Sequence, residues 1–341
     1  MDKILNKILI IDGSYLLHRQ LHLPNMFELR NSKGERSGGV FGFIRSLNKE
    51  ITNCPSYFPV VTFDKGLSQR RISVDKYYKH ADERDNAPKL ITKEEIDNDY
   101  ITQYRKQRTK LAEILPYFGI PVLMYDGWEG DDLIYILSQM STNSIILTDD
   151  RDMLQLLSES CDIKRPMANE HWKLEKFLGS TNYIDTFDFV IYKAIIGDDS
   201  DNIPSACKGV GEKTILPLIR LVREFSLDRN KNEWYNLEVN FPKTEEQLRH
   251  LCDNFNIQYK KAYLNFDVDR FIKNVSLVDL TLIDNIDDII RSMKATLRNC
   301  NNGVDFFKLM AQLSSLGIYD VPVESLIANV LVRHRNLFIK E

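Results

Sequence analysis

The sequence predicts an α/β protein, with a mainly parallel sheet and flanking helices followed by a helical C-terminal region. Three observations carry that expectation. The short runs KILII, PVVTF and SIILT are β-branched or aliphatic throughout, the pattern of strands buried on both faces. Strand signals alternate with helical patterns through about residue 180, as in βαβ units. After residue 185 the pattern becomes helix, loop, helix, with no persuasive strand.

The elements follow in order. The first strand ends at Asp12, and SYLLHRQLHL opens a helix behind it. GGVFGFIRSLNKEI gives a second helix with Val40, Phe43, Ile44 and Leu47 on one face. PVVTF then runs to Asp64. Segment 76–110 mixes Lys, Arg, Asp and Glu with few large aliphatics, so it reads as a solvated helix, a mobile excursion, or both. LAEILPYFGIPVLMYDG gives helix, turn and strand. GDDLIYILSQM starts the next helix at its acidic end, which the helix dipole favours. SIILT leads to Asp150 and Asp152.

Composition bounds the function without deciding it. A chain of 341 residues with net charge −4 has room for about two domains and is not uniformly basic. Cys54, Cys161, Cys207, Cys252 and Cys300 form no CxxC pair, which fits free thiols in a reducing compartment. No apolar run approaches the ~20 residues that span a bilayer, and the first strand begins too early for a signal peptide. The expectation is a cytoplasmic, soluble protein with no membrane partner. The six histidines show no metal spacing, and His18 reads as a partly buried, satisfied residue.

The acids are the most informative feature. Asp12, Asp64, Glu129, Asp131, Asp132, Asp150, Asp152, Asp198 and Asp201 fall in five places, each at a strand end or helix start. Carboxylates at strand carboxyl ends collect in one crevice of an open α/β sheet. Packed together they repel unless cations neutralise them. Oxygen-only ligands suit Mg²⁺ or Mn²⁺. A lone Asp after a strand is usually a turn or N-cap residue, but capping gives no reason for repetition at successive strand ends. Asp149 and Asp199 read as flanking, solvent-facing residues. The chain therefore reads as a divalent-metal phosphodiesterase.

Two further features point to nucleic acid. In GVGEKTI, Gly209 and Gly211 let the backbone turn before a helix whose free N–H groups can hold a phosphate, with Lys213 and Thr214 adding charge and a hydroxyl. Pro217 is expected to kink or reset that helix. Arg70, Arg71, Lys76 and Lys79 are interleaved with Tyr77 and Tyr78, a track for single-stranded nucleic acid, with an ordinary solvated helix as the alternative. Residues 65–110 hold twelve Lys/Arg and eight Asp/Glu, a net of +4 in a chain of −4.

In order, IDGSYLLHR, GVFGFIRSL, TFDKG, YYK, WEGDDLI, LTDDRDMLQLL, GDDSDNIP and GVGEKT resemble the motifs of the 5′ nuclease superfamily: flap endonucleases, the 5′ nuclease domain of DNA polymerase I, and phage 5′–3′ exonucleases, one of them called a ribonuclease H. The resemblance covers about residues 8–225. It implies a PIN-like catalytic domain over 1–185 with a helical arch at about 76–110. It also implies a helical C-terminal domain over 186–341 with a helix-hairpin-helix that binds duplex.

Carried over by position, the resemblance makes all nine acids metal ligands for two Mg²⁺ ions, with Mn²⁺ able to substitute and K⁺ at the hairpin. Asp150, Asp152 and Asp201 would serve one ion and Glu129 with Asp131 the other. Lys79 and Arg71 become catalytic cations, and Arg70, Arg71, Tyr78, Lys79, Arg84, Gly209, Gly211, Lys213 and Thr214 contact DNA. Arg84 stands two residues farther from Lys79 than the usual arginine, and the loop from Asp201 to Gly211 is one residue longer than in many bacterial relatives.

The implied activity is 5′–3′ exonuclease and flap endonuclease cleavage of branched, flapped or nicked DNA and RNA–DNA hybrids. Its implied role is removal of RNA primers or flaps in lagging-strand replication, by a monomer meeting single-strand-binding protein or polymerase. Two other classes stay open: a PIN-type endoribonuclease, and a structure-specific DNA-binding protein without catalysis.

Overall fold

A computed structural model describes residues 2–80, 94–225, 237, 241–255, 257–283 and 285–339. In chain order the first elements are β1 (Leu5–Asp12), α1 (Gly13–Leu21), α2 (Pro24–Phe27), α3 (Gly38–Asn53) and β2 (Phe58–Thr62). Next come α4 (Gln69–Val74), α5 (Glu94–Ile114), β3 (Val122–Leu123), α6 (Gly130–Met140) and β4 (Ser141–Leu147). The strands end with β5 (Cys161–Arg165) and β6 (Glu170–Trp172). The helices continue as α7 (Leu174–Thr181), α8 (Phe187–Ile196), α9 (Glu212–Arg223), α10 (Glu245–Asn254) and α11 (Val268–Val278). The last are α12 (Asp287–Asn299), α13 (Phe306–Ser315) and α14 (Val323–His334). Among the described residues no strand follows β6, as the sequence led one to expect.

The chain forms two compact units that interleave in sequence, where the sequence reading divided it once after residue 185. One comprises Met1–Leu67, Pro88–Lys173 and Ile283–Glu341; the other comprises Ser68–Ala87 and Leu174–Leu282. The excursion at 76–110 is thus split between them. Arg84 lies outside the described residues.

The first unit holds a six-stranded sheet in the order β3-β2-β1-β4-β5-β6. Every pair is parallel except β5 with β6. In β1 the residues Ile8, Leu9, Ile10 and Ile11 are fully buried, so the strand is covered on both faces and its apolar run is continuous rather than alternating. The connections leave β1 toward β2 on one side and place β4 on the other, which makes the carboxyl ends of β1 and β4 a topological switch point. There Asp12 pairs in register with Thr62 of β2.

The expected face of α3 is borne out: Val40, Phe43, Ile44 and Leu47 are all buried. Helix α5 is more than a solvated excursion, since Tyr104, Gln107, Leu111 and Ile114 are buried at 3- and 4-residue spacing. The amino end of β1 is closed from far along the chain. Asn6 N–H donates to the Leu337 carbonyl at 2.8 Å, Ile339 N–H to the Ile4 carbonyl at 3.0 Å, and Asn6 Nδ2 to the Asn336 carbonyl at 2.8 Å.

The second unit is helical around one apolar cluster, in which Ile191, Ile195, Leu218, Val222, Phe271 and Val275 meet. Helix α9 continues through Pro217, a proline within the helix that neither breaks nor resets it. Buried Asp188 is held by Arg223 at 2.6 Å, and the same guanidinium reaches Asp185 at 2.6 and 3.0 Å. Burying a carboxylate is costly unless a partner of this kind is supplied.

Candidate metal centre and nucleic-acid contacts

At the switch point in the first unit, Asp12 is 6% exposed and caps α1. Its Oδ1 accepts from Tyr15 N–H at 2.9 Å and its Oδ2 from the Thr148 hydroxyl at 2.8 Å. Burial pushes the Asp12 carboxyl up to about 7, and the nearby charges of Asp64 and Asp150 push the same way. Burial disfavours the charged form, and two neighbouring carboxylates add to that effect.

Hydrogen bonds order further acids of this unit. Asp64 Oδ1 accepts from Gly130 N–H at 2.6 Å, joining the end of β2 to the start of α6. That helix start carries Glu129 and Asp132, each 2% exposed, and the partly exposed Asp131. Asp150 N–H donates to the Thr148 hydroxyl at 3.0 Å, and Asp152 N–H to Asp150 Oδ1 at 2.8 Å. A Cβ at position 130 would stand 3.1 Å from Asp64 Oδ1, so any larger residue there would press on that carboxylate.

Asp149 corrects the expectation of a solvent-facing residue. Its side chain is only 13% exposed, and it accepts a short bond from the Tyr15 hydroxyl and another from Met167 N–H at 2.9 Å. Burial and then that carboxylate hold the Tyr15 phenol above its usual range. Asp199 is exposed as expected. His18 is satisfied as expected: Nδ1 is 2.6 Å from the Tyr100 hydroxyl, and the ring stacks on Tyr104 at 4.1 Å.

Two residues at this centre escaped the sequence reading, both on α5. Tyr104 is buried beside Asp64 and Asp12 and bonds Ser14 through its hydroxyl. Arg108, one turn later, donates to the Asp64 carbonyl at 2.7 Å. The i, i+4 spacing YRKQR was the available signal, hidden in a segment rich in both signs of charge.

Among the described residues no set of three or more His, Cys, Asp or Glu side chains closes into a cage ready to hold an ion. The donor chemistry nevertheless fits a hard cation. The acids near Asp12 are Asp64 and Asp150, and oxygen donors of this kind suit such an ion.

In the second unit, Asp198 and Asp201 lie on one loop. Asp198 accepts from Lys193 at 2.6 Å and from Ser200 N–H at 2.9 Å, while its main chain pairs with Ile203. Burial raises the Asp198 carboxyl, but Lys193 and Ser200 outweigh it, and the group lies below the usual range. Asp201 accepts from the Tyr78 hydroxyl at 3.2 Å and has Lys79 Nζ 3.7 Å away. Lys79 adopts a left-handed backbone, φ 48°, with its N–H on the Asp201 carbonyl at 2.9 Å. A non-glycine residue in that region stores of order 1–3 kcal/mol.

Three expected contacts change character. Arg71 is 2% exposed and gives its Nε to the Leu277 carbonyl at 2.9 Å, so it braces α4 from within rather than facing a phosphate. Tyr78 is 2% exposed, which leaves no free face for a base; Tyr77 is the exposed ring, with Lys76 Nζ 4.8 Å from its centroid. Arg70 also turns inward, donating to the Ser276 carbonyl. In the glycine loop, Gly209 has φ 82° and Gly211 caps α9 with extended backbone. The Thr214 hydroxyl receives Gly211 N–H at 2.9 Å and lies 3.0 Å from the Gly211 carbonyl, so its own helix start occupies it. Lys213 lies in the first turn of α9.

Residues 7–182 match the family described as 5′-3′ exonuclease, N-terminal resolvase-like domain. A 5′-3′ exonuclease of Aquifex aeolicus is 28% identical over 265 residues, covering 76% of this chain and 82% of that protein. One from Buchnera aphidicola is 28% identical, covering 79% and 90%. Thermostable DNA polymerase I of Thermus thermophilus is 29% identical over 77% of this chain, which spans only 29% of the polymerase. Among solved structures, the bacteriophage T5 5′-exonuclease with zinc bound superposes with TM-score 0.57 and 18% identity, covering 96% of this chain and 99% of that one. The T5 D15 flap endonuclease in a pseudo-enzyme-product complex with DNA and metal ions gives 0.56 and 18%, covering 97% and 99%. These two likenesses establish the fold. No described helix is long and apolar enough to cross a membrane. With a family match over more than half its length, the chain belongs to the 5′–3′ exonuclease family, within the 5′ nuclease superfamily.

Proposed function

We propose that this protein is a Mg²⁺-dependent, structure-specific 5′–3′ exonuclease and flap endonuclease acting on flapped or nicked DNA and on RNA–DNA hybrids. Its proposed role is removal of RNA primers or 5′ flaps during lagging-strand replication. The observation that carries the reading is the buried Asp12 at the switch point of the sheet with Asp64 and Asp150 near it, a set of oxygen donors suited to a hard cation.

Asp12, Asp64, Glu129, Asp131, Asp132, Asp150 and Asp152 would hold the metal in the first unit. Bound ions in such sites lower the pKa of a coordinated water and stabilise attacking and leaving oxygens. The chain's own residues do the positioning. Thr148 orients Asp12 and the start of the Asp150 segment together. Gly130 fixes Asp64, and buried Glu129 and Asp132 bring further charge to the same crevice. Lys79 supplies a cation for the phosphate. The turn at Gly209–Gly211 with Lys213 grips duplex backbone without reading sequence.

The test incubates a 5′-labelled flap, a nicked duplex and an RNA–DNA hybrid with wild type and Asp150→Asn, in Mg²⁺ and in chelator. Short 5′-derived products that need Mg²⁺ and vanish in the variant support the reading. Cleavage unchanged by Asp150→Asn removes its basis. Cleavage of single-stranded RNA without duplex dependence would favour the PIN-type endoribonuclease instead.

A further inference from the structure

Helix α5 delivers to the acid cluster a cation that the acids do not neutralise. Arg108 Nη1 donates to the main-chain carbonyl of Asp64 at 2.7 Å, and the guanidinium carbon lies 5.6 Å from the centroid of the Tyr104 ring. Tyr104 is itself buried and bonded to Ser14, so a carbonyl and an aromatic face together set the plane of the guanidinium. These contacts use one of its five donors. Nε is screened from solvent and makes no hydrogen bond, and among the described residues Arg108 forms no ion pair. The side chain as a whole is partly exposed.

An arginine beside a carboxylate usually forms a salt bridge with it, and its charge is then spent. Here the partner is a neutral carbonyl, and the full positive charge stays available at a site rich in acids. Nε is screened, but Nη2 and the second proton of Nη1 form the guanidinium end that can match two oxygens of a phosphodiester.

We propose that Arg108 is a substrate-contact residue that binds a phosphodiester of the nucleic-acid strand at the acid cluster. This rests on the nuclease reading above, and adds to it a residue that neither composition nor motif singled out. The bond to the Asp64 carbonyl offers the competing role of merely holding that loop.

The experiment uses the full chain as wild type, Arg108→Ala and Arg108→Lys. Binding of a fluorescent 5′-flap DNA is followed by anisotropy in Ca²⁺ from 50 to 300 mM KCl, together with Mn²⁺ binding in the absence of DNA. Arg108→Ala should weaken flap binding by roughly tenfold and flatten the slope of log affinity against log salt by about 1, the signature of one lost phosphate contact. Arg108→Lys should restore the slope but only part of the affinity, because an ammonium cannot form the planar fork. Mn²⁺ affinity should stay within about twofold throughout.

A wild-type slope in Arg108→Ala overturns the proposal, as does a loss of Mn²⁺ affinity matching the loss of DNA affinity, which would assign Arg108 to holding Asp64. Because the measurement needs no cleavage, wild-type protein that binds flap but never cuts it would overturn the nuclease reading alone.

Discussion

Replacing Asp12 by Asn should stabilise this protein when divalent ions are removed, and the gain should depend on pH. Burial, with Asp64 and Asp150 adding to it, raises the carboxyl from its ordinary 3.8 to about 7. That difference of about 3 pH units corresponds to roughly 4 kcal/mol at about 1.4 kcal/mol per unit. The sign follows from which state holds the proton. Between pH 3.8 and 7 the unfolded chain loses it while the folded chain keeps it, so stability falls as pH rises through that window and the full penalty is present above it. Asn carries no such proton. It caps helices as well as Asp does, and its amide can donate to the Thr148 hydroxyl in place of the lost acceptor. In EDTA, urea unfolding followed by circular dichroism should therefore show wild type and variant close together at pH 4.5 and the variant ahead by up to about 4 kcal/mol at pH 8. Added Mg²⁺ should narrow the gap at pH 8 by stabilising wild type through binding, while cleavage by the variant falls to background. A stability difference that stays constant with pH, or a variant weaker than wild type at pH 8 in EDTA, would refute the argument.

Other expectations rest on separate features. Gly130→Ala should reduce cleavage by about tenfold with little change in melting temperature, because the new Cβ, 3.1 Å from Asp64 Oδ1, displaces the carboxylate, whereas alanine suits the helix by about 0.5–1 kcal/mol; an unchanged single-turnover rate would refute it. Arg223→Ala should lower stability by about 3–5 kcal/mol in urea titrations, since it strands the buried Asp188, and Asp188→Asn in the same background should recover part of the loss. Lys79→Ala should cut single-turnover cleavage by about 10²-fold without lowering the melting temperature, as removal of one transition-state donor does elsewhere. Gly209→Val should cost about 1–2 kcal/mol, because φ 82° strains an L-residue, and should weaken duplex binding measured by anisotropy.

The parts of the fold visible in the sequence were those set by local rules. Continuous apolar runs announced β1, β2 and β4, and the 3.6-residue period announced the buried face of α3. Acids at successive strand ends announced that Asp12, Asp64 and Asp150 would lie near one another, since position after a strand fixes where a side chain can gather. What stayed hidden depended on contacts between distant segments. Asp149 looked like a flank because nothing local shows that the Tyr15 hydroxyl and Met167 N–H will reach it. Arg71 and Tyr78 looked like a binding track because cation–aromatic interleaving is the same whether the segment faces solvent or is braced by the Leu277 carbonyl. Tyr104 and Arg108 were masked by charge on the exposed face of α5, since polarity averaged over a segment says little about its buried stripe.

The clip that joins Asn6 to Leu337 and Ile4 to Ile339 gives the timing of assembly a direction. The strand bearing Asp12 is made well before its partner, because its amino end bonds a segment 330 residues farther along the chain. Closing so long a loop is slow beside local helix formation. During synthesis the amino end of β1 should therefore stay open until residues 336–339 have emerged. Its closure thus carries a built-in delay, set by topology.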